Sequence, residues 1–241
     1  MSEDSIQISV LIPAYNEEKR IGGTLDILQE YFAKQSYRAE ILVVSDGSTD
    51  QTVETVEAGY PDVRMHAYET NRGKGYATRV GGPLCTGEFV LIYDADGSTP
   101  IDDVEKLWPK FEEGFDIVIG SRSIAGSDVQ IRQPLYRQSM GRIYNLLLRL
   151  LGLTTFKDTQ CGFKGVRATC IEPVFSRMRS DGFGADCEML YIAGKLGYRI
   201  ADVPIRWLNS LDTRVHAIFD SLDMIREVLI IRGRASLGQY R

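Results

Sequence analysis

Short, unbroken apolar runs alternate along the chain with segments in which apolar residues recur every three or four positions. IQISVLIP (6–13), EILVVSDGS (40–48), EFVLIYDADGS (88–98) and FDIVIGSR (115–122) are runs rich in β-branched residues, each running into a proline, a glycine or a polar cluster. Runs of this kind, without alternating polar positions, belong to strands buried on both faces of a mostly parallel sheet. Between the first two, Ile21, Leu25, Leu28 and Phe32 fall on one face of a helix over Glu17 to Ala33. Asp50 stands where a second helix, through Val53 and Val56, needs a cap. This order predicts an α/β fold, a Rossmann-like, open and mostly parallel sheet with helices on both faces.

Two later stretches read as amphipathic helices. Residues 134–153 place Leu135, Ile143, Tyr144, Leu147, Leu150 and Leu151 among arginines, and residues 216–231 place Ile218, Phe219, Leu222, Ile225, Leu229 and Ile230 at helical spacing. Residues 1–215 are therefore expected to form one domain, including a basic segment at about 122–155, with 216–241 as a C-terminal amphipathic helix and tail.

Composition narrows the class. A chain of 241 residues that is 44% hydrophobic and 25% charged suits one folded core. With 28 Lys and Arg against 33 Asp and Glu, the net charge of -5 excludes general attraction to nucleic acid. Cys85, Cys161, Cys170 and Cys187 lack CxxC spacing and the chain opens on polar MSEDS, so free thiols in a reducing, cytoplasmic setting are expected. The apolar stretches at 146–153 and 228–231 are interrupted by Arg149 or bounded by Arg226 and Arg232. Both fall short of the roughly 20 residues that span a bilayer, which leaves peripheral contact at the cytoplasmic membrane face.

The chemistry gathers at the strand ends, PAYNEE, SDGSTD, DADGS and GSR. In open α/β sheets ligands bind beyond the carboxyl ends of the strands. Asp94 and Asp96 lie two apart and project to one side of extended backbone. Two hard carboxylates, with the remaining positions left to water and substrate phosphates, suit Mg²⁺ or Mn²⁺. His66 and His216 are too isolated for a zinc site. A metal held in this way usually neutralises a diphosphate, so a nucleotide donor is expected. Neither GxGxxG nor GxxxxGK[ST] occurs, which argues against a dinucleotide oxidoreductase and a P-loop NTPase. NRGKG (71–75) is a basic glycine loop able to approach a phosphate or a base.

Taken together, VLIPAYNEE, VVSDGSTDQT, NRGKGYA, YDADGSTP and DIVIGSR resemble glycosyltransferase family 2 with the GT-A fold. DTQCGFKG (158–165), GFGADCEML (182–190) and DVPIRW (202–207) extend the resemblance to the polyprenyl-phosphate hexose synthase branch, which includes dolichyl-phosphate glucose and mannose synthases. The resemblance implies that Pro13, Ala14, Tyr15, Glu17, Asp46, Lys74, Asp94 and Ala95 bind the nucleotide, Asp46 reading its base. It implies that Asp94, Asp96 and Ser98 hold the metal, Ser98 standing where mannose-synthase relatives carry Gln. It also implies that Arg214, with Arg206 as a second candidate, faces the donor diphosphate and that Arg122 and Gln160 face the acceptor phosphate, where the local excess of basic residues adds Arg132 and Arg137 as candidates. Asp96, Asp158 and Arg122 form the catalytic group.

A sugar hydroxyl needs a positioned base before it attacks, whereas a phosphate monoester, with a second pKa of about 6, is already anionic at neutral pH. Such a nucleophile needs cations to hold it in line. Arg122, Arg132, Arg137, Arg142 and Arg149 supply them against a single acid, Asp128. Asp158 is left two roles, base or ion-pair partner of one of these arginines. The expected activity is inverting transfer of a hexose from a nucleotide sugar to a polyprenyl phosphate. UDP-glucose is favoured over UDP-GalNAc, UDP-GlcNAc and GDP-mannose because DADGSTP and VPIRW look closer to the glucose-synthase branch. The alternatives are transfer to a soluble or carbohydrate hydroxyl, with Asp158 as base, and non-catalytic binding of a nucleotide sugar. A membrane-protein partner or a homo-oligomer would be further routes to the lipid.

Overall fold

The computed structural model describes residues 5–130, 135–208 and 219–240, with backbone alone at 135–138 and 219–223. Strands β1 (Ile8–Ala14) and β2 (Ala39–Asp46) are followed by β3 (Arg64–Tyr68), β4 (Phe89–Ile92) and β5 (Ile117–Ser121). Two-residue β6 (Asp128–Val129), then β7 (Lys164–Arg167), β8 (Ile200–Pro204) and two-residue β9 (Arg206–Trp207) complete the set. Helices are α1 (Ile21–Phe32), α2 (Thr52–Gly59), α3 (Lys74–Gly81), α4 (Trp108–Glu112), α5 (Leu135–Leu150), α6 (Ala168–Phe175), α7 (Ala185–Lys195) and α8 (Phe219–Ser236).

Seven strands form one sheet in the order β3-β2-β1-β4-β7-β5-β8. All pairings are parallel except those of β7, which runs antiparallel between β4 and β5. The four apolar runs are β1, β2, β4 and β5, and their centres, including Val10, Leu11, Val43, Val44, Leu91 and Val118, are 0% exposed. Burying each such side chain contributes about 1.5–3 kcal/mol. One face of the sheet packs on α3, α6, α7 and α8, the other on α1 and α4, giving two apolar layers.

Register places the site. β1 pairs with β2 from Ile8↔Ala39 to Ala14↔Ser45, so PAYNEE and SDGS emerge side by side. On the other edge of β1, Leu11 pairs with Ile92, and Tyr93 N–H donates to the Leu11 carbonyl at 2.9 Å. The direction of strand addition reverses between β1 and β4, and the chain leaves β4 at that reversal carrying Asp94 and Asp96, where open sheets form a binding crevice.

Helix α1 begins at Ile21, four residues later than its apolar spacing predicts, because residues 15–20 form a turn bonded to the segment after β2, Asn16 N–H donating to Ser48 and Glu17 N–H to Thr52. Gln51, not Asp50, takes the N-cap position of α2, without a side-chain cap bond; from one residue earlier the Asp50 carboxylate accepts from Thr52 N–H at 3.0 Å and from Glu18 N–H at 3.2 Å. Helix α8 packs against the core rather than projecting from it. Val228 and Ile231 are 0% exposed, and the Tyr240 hydroxyl donates to the wholly buried Glu188 at 2.5 Å. The four cysteines are free. Among the described residues no helix is long and apolar enough to cross a membrane.

Candidate active site

The chain turns sharply after β4. Ser98 N–H donates to Asp96 Oδ1 at 3.0 Å, closing an Asx turn. Thr24 of α1 donates its hydroxyl to the Ala95 carbonyl at 2.8 Å, and Leu208 N–H donates to the Ser98 carbonyl at 2.7 Å. Asp94, Ala95, Asp96 and Ser98 are thus fixed from both sides. Asp94 and Asp96 remain partly exposed, with side-chain exposures of 37% and 25%. Beneath Asp94 lies Gly162, where any Cβ would overlap the Asp94 carboxylate. The pair fits a divalent cation of oxygen-ligand type: two carboxylates at a crevice, the remaining coordination left to water and phosphate. Among the described residues no group of three or more His, Cys, Asp and Glu is placed to hold a metal by itself.

Cations surround these acids. Lys74, at the start of α3, contacts Asp94 Oδ1. Partial burial pulls the Lys74 ammonium down, but the charges of Asp94 and Asp186 outweigh it and hold it above its ordinary value. Burial likewise pushes the Asp94 carboxyl up, and Lys74, with Lys164 and Arg122 behind it, holds it below the usual carboxylate range. Arg20 approaches Asp96 at 3.9 Å while its Nε and Nη2 donate to both oxygens of Glu17 at 2.7 and 2.6 Å. Glu17 therefore aims Arg20 at the second aspartate, a link not evident from sequence because Arg20 falls outside every motif.

Arg122 leaves β5 directly opposite. Its Nε and Nη2 donate to Asp158 Oδ2 and Oδ1, both at 2.8 Å, and its own backbone N–H donates to Oδ2 at 2.9 Å. Its guanidinium lies 5.2 Å from the Trp207 ring centroid. Asp158 is 3% exposed. Burial pushes its carboxyl up, but the Arg122 charge and hydrogen bonds dominate and hold it below the usual range. Of the two sequence readings of Asp158, ion-pair partner and base, the geometry is that of the ion pair. Gln160, half-buried, sits two residues on. Asn145 of α5 accepts from Thr159 N–H at 3.2 Å and from its hydroxyl at 3.0 Å, tying this loop to the basic helix.

Two participants lie inside the motifs DTQCGFKG and GFGADCEML but had no role assigned from sequence. Lys164 on β7 is 0% exposed; its ammonium donates to Asp186 Oδ1 at 2.7 Å and contacts the Cys161 carbonyl. A lysine in a four-residue central strand gives no sequence signal, since it reads as a solvated position. Asp186, in GFGADCEML, is 20% exposed in that bridge.

The nucleotide-side residues line up along β1 and β2. Pro13 and Ala14 end β1, and Tyr15 is 40% exposed above them. Asp46 is 2% exposed, and its carboxylate accepts from the Tyr68 hydroxyl at 2.8 Å, Arg72 N–H at 2.8 Å and Gly73 N–H at 2.7 Å. In this arrangement Asp46 anchors the NRGKG loop; the loop, not open water, occupies its oxygens.

Arg206 is paired with acids of the turn after β4. Its Nε donates to Asp103 at 2.9 Å, its Nη2 lies 2.6 Å from Asp102 and 2.8 Å from Asp103, and its N–H donates to Asp103 at 2.6 Å. The side chain clamps β9 to the 3₁₀ turn at Ile101–Lys106, its donors engaged by Asp102 and Asp103. Arg206→Ala is expected to lower stability by about 1–3 kcal/mol with the donor KM unchanged; denaturant titration and steady-state kinetics check it. Arg132 and Arg214 lie outside the described residues, as does the side chain of Arg137.

Comparison with known proteins agrees with this geometry. The chain is 33% identical to mouse (Mus musculus) dolichyl-phosphate beta-glucosyltransferase over 98% of its length and 78% of the relative's. It is 32% identical to the dolichyl-phosphate beta-glucosyltransferase of Saccharomyces cerevisiae over 99% of this chain and 78% of that one. Among solved structures, glucosyl-3-phosphoglycerate synthase from Mycobacterium tuberculosis with phosphoglyceric acid superposes with a TM-score of 0.73 over 95% of this chain and 80% of that one, at 21% identity. The same synthase with Mn²⁺, UDP and glucosyl-3-phosphoglycerate gives 0.72, with coverages of 95% and 80%, at 21% identity. These structures carry the GT-A fold. Residues 9–175 match glycosyl transferase family 2, and the chain is a glycosyltransferase belonging to that family.

Proposed function

We propose that this enzyme transfers glucose from UDP-glucose to the phosphate of a polyprenyl phosphate, with inversion at the anomeric carbon and dependence on Mg²⁺ or Mn²⁺. The observation that carries the reading is the lock on Asp158. A hydroxyl acceptor needs a base, and the nominated one is buried, bidentate on Arg122 and held below its ordinary pKa. The neighbouring Asp186 bridges to Lys164. A phosphate acceptor needs no base, and a site whose acids are paired with cations suits it. The names of the relatives that match over nearly all of this chain point the same way.

In this reaction a phosphate oxygen forms a bond to the sugar anomeric carbon as the bond to the UDP oxygen breaks, the leaving diphosphate taking the electron pair; no proton has to move. A bound divalent cation, held by Asp94 and Asp96, supplies charge neutralisation to that diphosphate. Asp158 takes Nε and Nη2 of Arg122 but not Nη1, which points the charge of a fixed guanidinium toward the incoming phosphate. Lys74 spans the donor loop and Asp94.

Peripheral membrane contact at the cytoplasmic face fits the outer surfaces of α5 and α8, which pack together. Ile143, Leu146 and Leu150 are 64, 47 and 76% exposed, and Ile225, Leu229 and Ile230 are 42, 56 and 39% exposed. Arg142, Arg149, Arg226 and Arg232 flank them, the composition of a helix face that enters an anionic interface.

The test incubates the protein with Mn²⁺, a short polyprenyl phosphate and a panel of UDP and GDP sugars, detecting lipid-linked sugar by mass. Product is expected with UDP-glucose ahead of all others. Release of UDP onto a hydroxyl acceptor, with no lipid product, would overturn the acceptor assignment.

A further inference from the structure

The NRGKG loop is gripped from two sides. Asp46 holds Arg72 N–H and Gly73 N–H from the sheet. From the opposite side comes Asp181, in the segment between α6 and α7. Its carbonyl accepts from Tyr76 N–H at 3.2 Å and fills the space that a Cβ on Gly73 or Gly75 would need. Gly73, at φ 105, adopts backbone that other residues rarely reach. The Asp181 carboxylate accepts from Arg79 Nη2 at 2.6 Å and Arg72 Nη2 at 3.2 Å, and both guanidiniums lie over the Tyr76 ring, at 3.7 Å for Arg72 and 5.1 Å for Arg79. The loop's Lys74, which meets Asp94, is therefore placed by Asp181 as much as by Asp46.

Asp181 in turn is seated by Glu188 of α7 and by the C-terminal helix. Immediately before it, Arg179 N–H and Ser180 N–H donate to Glu188 Oε2, both at 2.7 Å. The other oxygen of Glu188 takes the Tyr240 hydroxyl at 2.5 Å and faces Arg234 Nη1 at 3.5 Å. Just after Asp181, Gly184 N–H donates to the Glu227 carboxylate, which also packs where a Gly182 side chain would stand. One end of the 179–184 segment is thus pinned by Glu188 of α7, itself held by Arg234 and Tyr240, the other directly by Glu227 of α8, and the middle pins the donor loop.

We infer that Glu227 and Asp181 are positioning residues for donor binding, through which α8 and Tyr240 hold the NRGKG loop in its nucleotide-competent conformation. The inference rests on the donor-site reading of that loop. It follows from the rule that displacing a binding group by about 1 Å costs on the order of a hundredfold in rate, and that these contacts are short, charged and directed at backbone N–H groups. It gives α8 a role in the same helix that presents Ile225, Leu229 and Ile230 outward.

The test uses the full chain and two readouts. Amide hydrogen exchange over residues 71–77 is measured without ligand, and UDP affinity is measured in the presence of Mn²⁺. Glu227→Ala is expected to speed exchange at 71–77 about tenfold and to weaken UDP by a similar factor, the loss of one charge-assisted hydrogen bond. Exchange in β1 and β2 should stay at wild-type rates. Glu227→Gln, which keeps an acceptor for Gly184 N–H, restores both values. Tyr240→Phe, removing one hydroxyl, moves both in the same direction by less and serves if Glu227→Ala fails to fold. Exchange at 71–77 unchanged in Glu227→Ala and Tyr240→Phe, with only 179–186 loosened, overturns the relay. Failure of the wild-type protein to bind UDP would sink the donor reading, while the exchange data would still decide whether α8 governs the loop.

Discussion

Gly162→Ala is expected to lower turnover by about a hundredfold or more, with the protein still folded. A Cβ at 162 would overlap the Asp94 carboxylate, so either Asp94 or the 158–163 loop must move. Asp94 cannot move without leaving Lys74. The loop cannot move freely either: Asp158 is bound to Arg122, Thr159 to Asn145, and the Phe163 carbonyl accepts from Gly120 N–H at 2.7 Å. Displacement by about 1 Å of a group that must sit in line costs on the order of 10²-fold, and overpacking costs about 1–3 kcal/mol of stability. Steady-state rates with UDP-glucose and saturating Mn²⁺, beside a thermal melt, separate the two effects. Wild-type turnover in Gly162→Ala would show that Asp94 is not required where the structure places it.

Gly162 also marks what the sequence made legible and what it did not. The four long apolar runs identified β1, β2, β4 and β5 because burial on both faces leaves an unbroken apolar signature. β3, exposed at the sheet edge, and β7, four residues carrying Lys164 and Arg167, lack that signature. The antiparallel insertion of β7 was for the same reason invisible, although it delivers Lys164, Gly162 and the Asp158 loop to the site. Motif residues such as Asp94, Asp96, Arg122 and Asp158 were legible because they sit at strand ends or in a dense polar motif. Pairing was not: that Arg122 binds Asp158, that Arg206 binds Asp102 and Asp103, and that Arg20 faces Asp96 are properties of three-dimensional approach between residues far apart along the chain, 103 residues for Arg206 and Asp103. Spacing along the chain carries no record of which cation each carboxylate meets.

The Arg122–Asp158 pair supplies the largest stability effect and separates the two acceptor chemistries. Arg122→Ala leaves a carboxylate that is 3% exposed with the Arg122 backbone N–H as the remaining contact of this pair. Removing one partner of a buried ion pair costs about 3–5 kcal/mol, and denaturant unfolding should show a loss of that size together with turnover reduced at least tenfold. Asp158→Asn keeps an acceptor for that N–H and is expected to cost less. Because the folded-state pKa of Asp158 lies below its unfolded value, its contribution is complete above the unfolded pKa of about 4. It is lost as pH falls through the lower folded value. The stability gap between wild type and Asp158→Asn should therefore be flat from pH 7 to about 5 and close on further acidification. The acid limb of kcat answers a different question. If the nucleophile is a phosphate, that limb follows the acceptor's second ionisation near pH 6 and persists in Asp158→Asn with a reduced plateau. If Asp158 were the base, the substitution would abolish the limb along with the activity, and transfer to a hydroxyl would become the better account of this site.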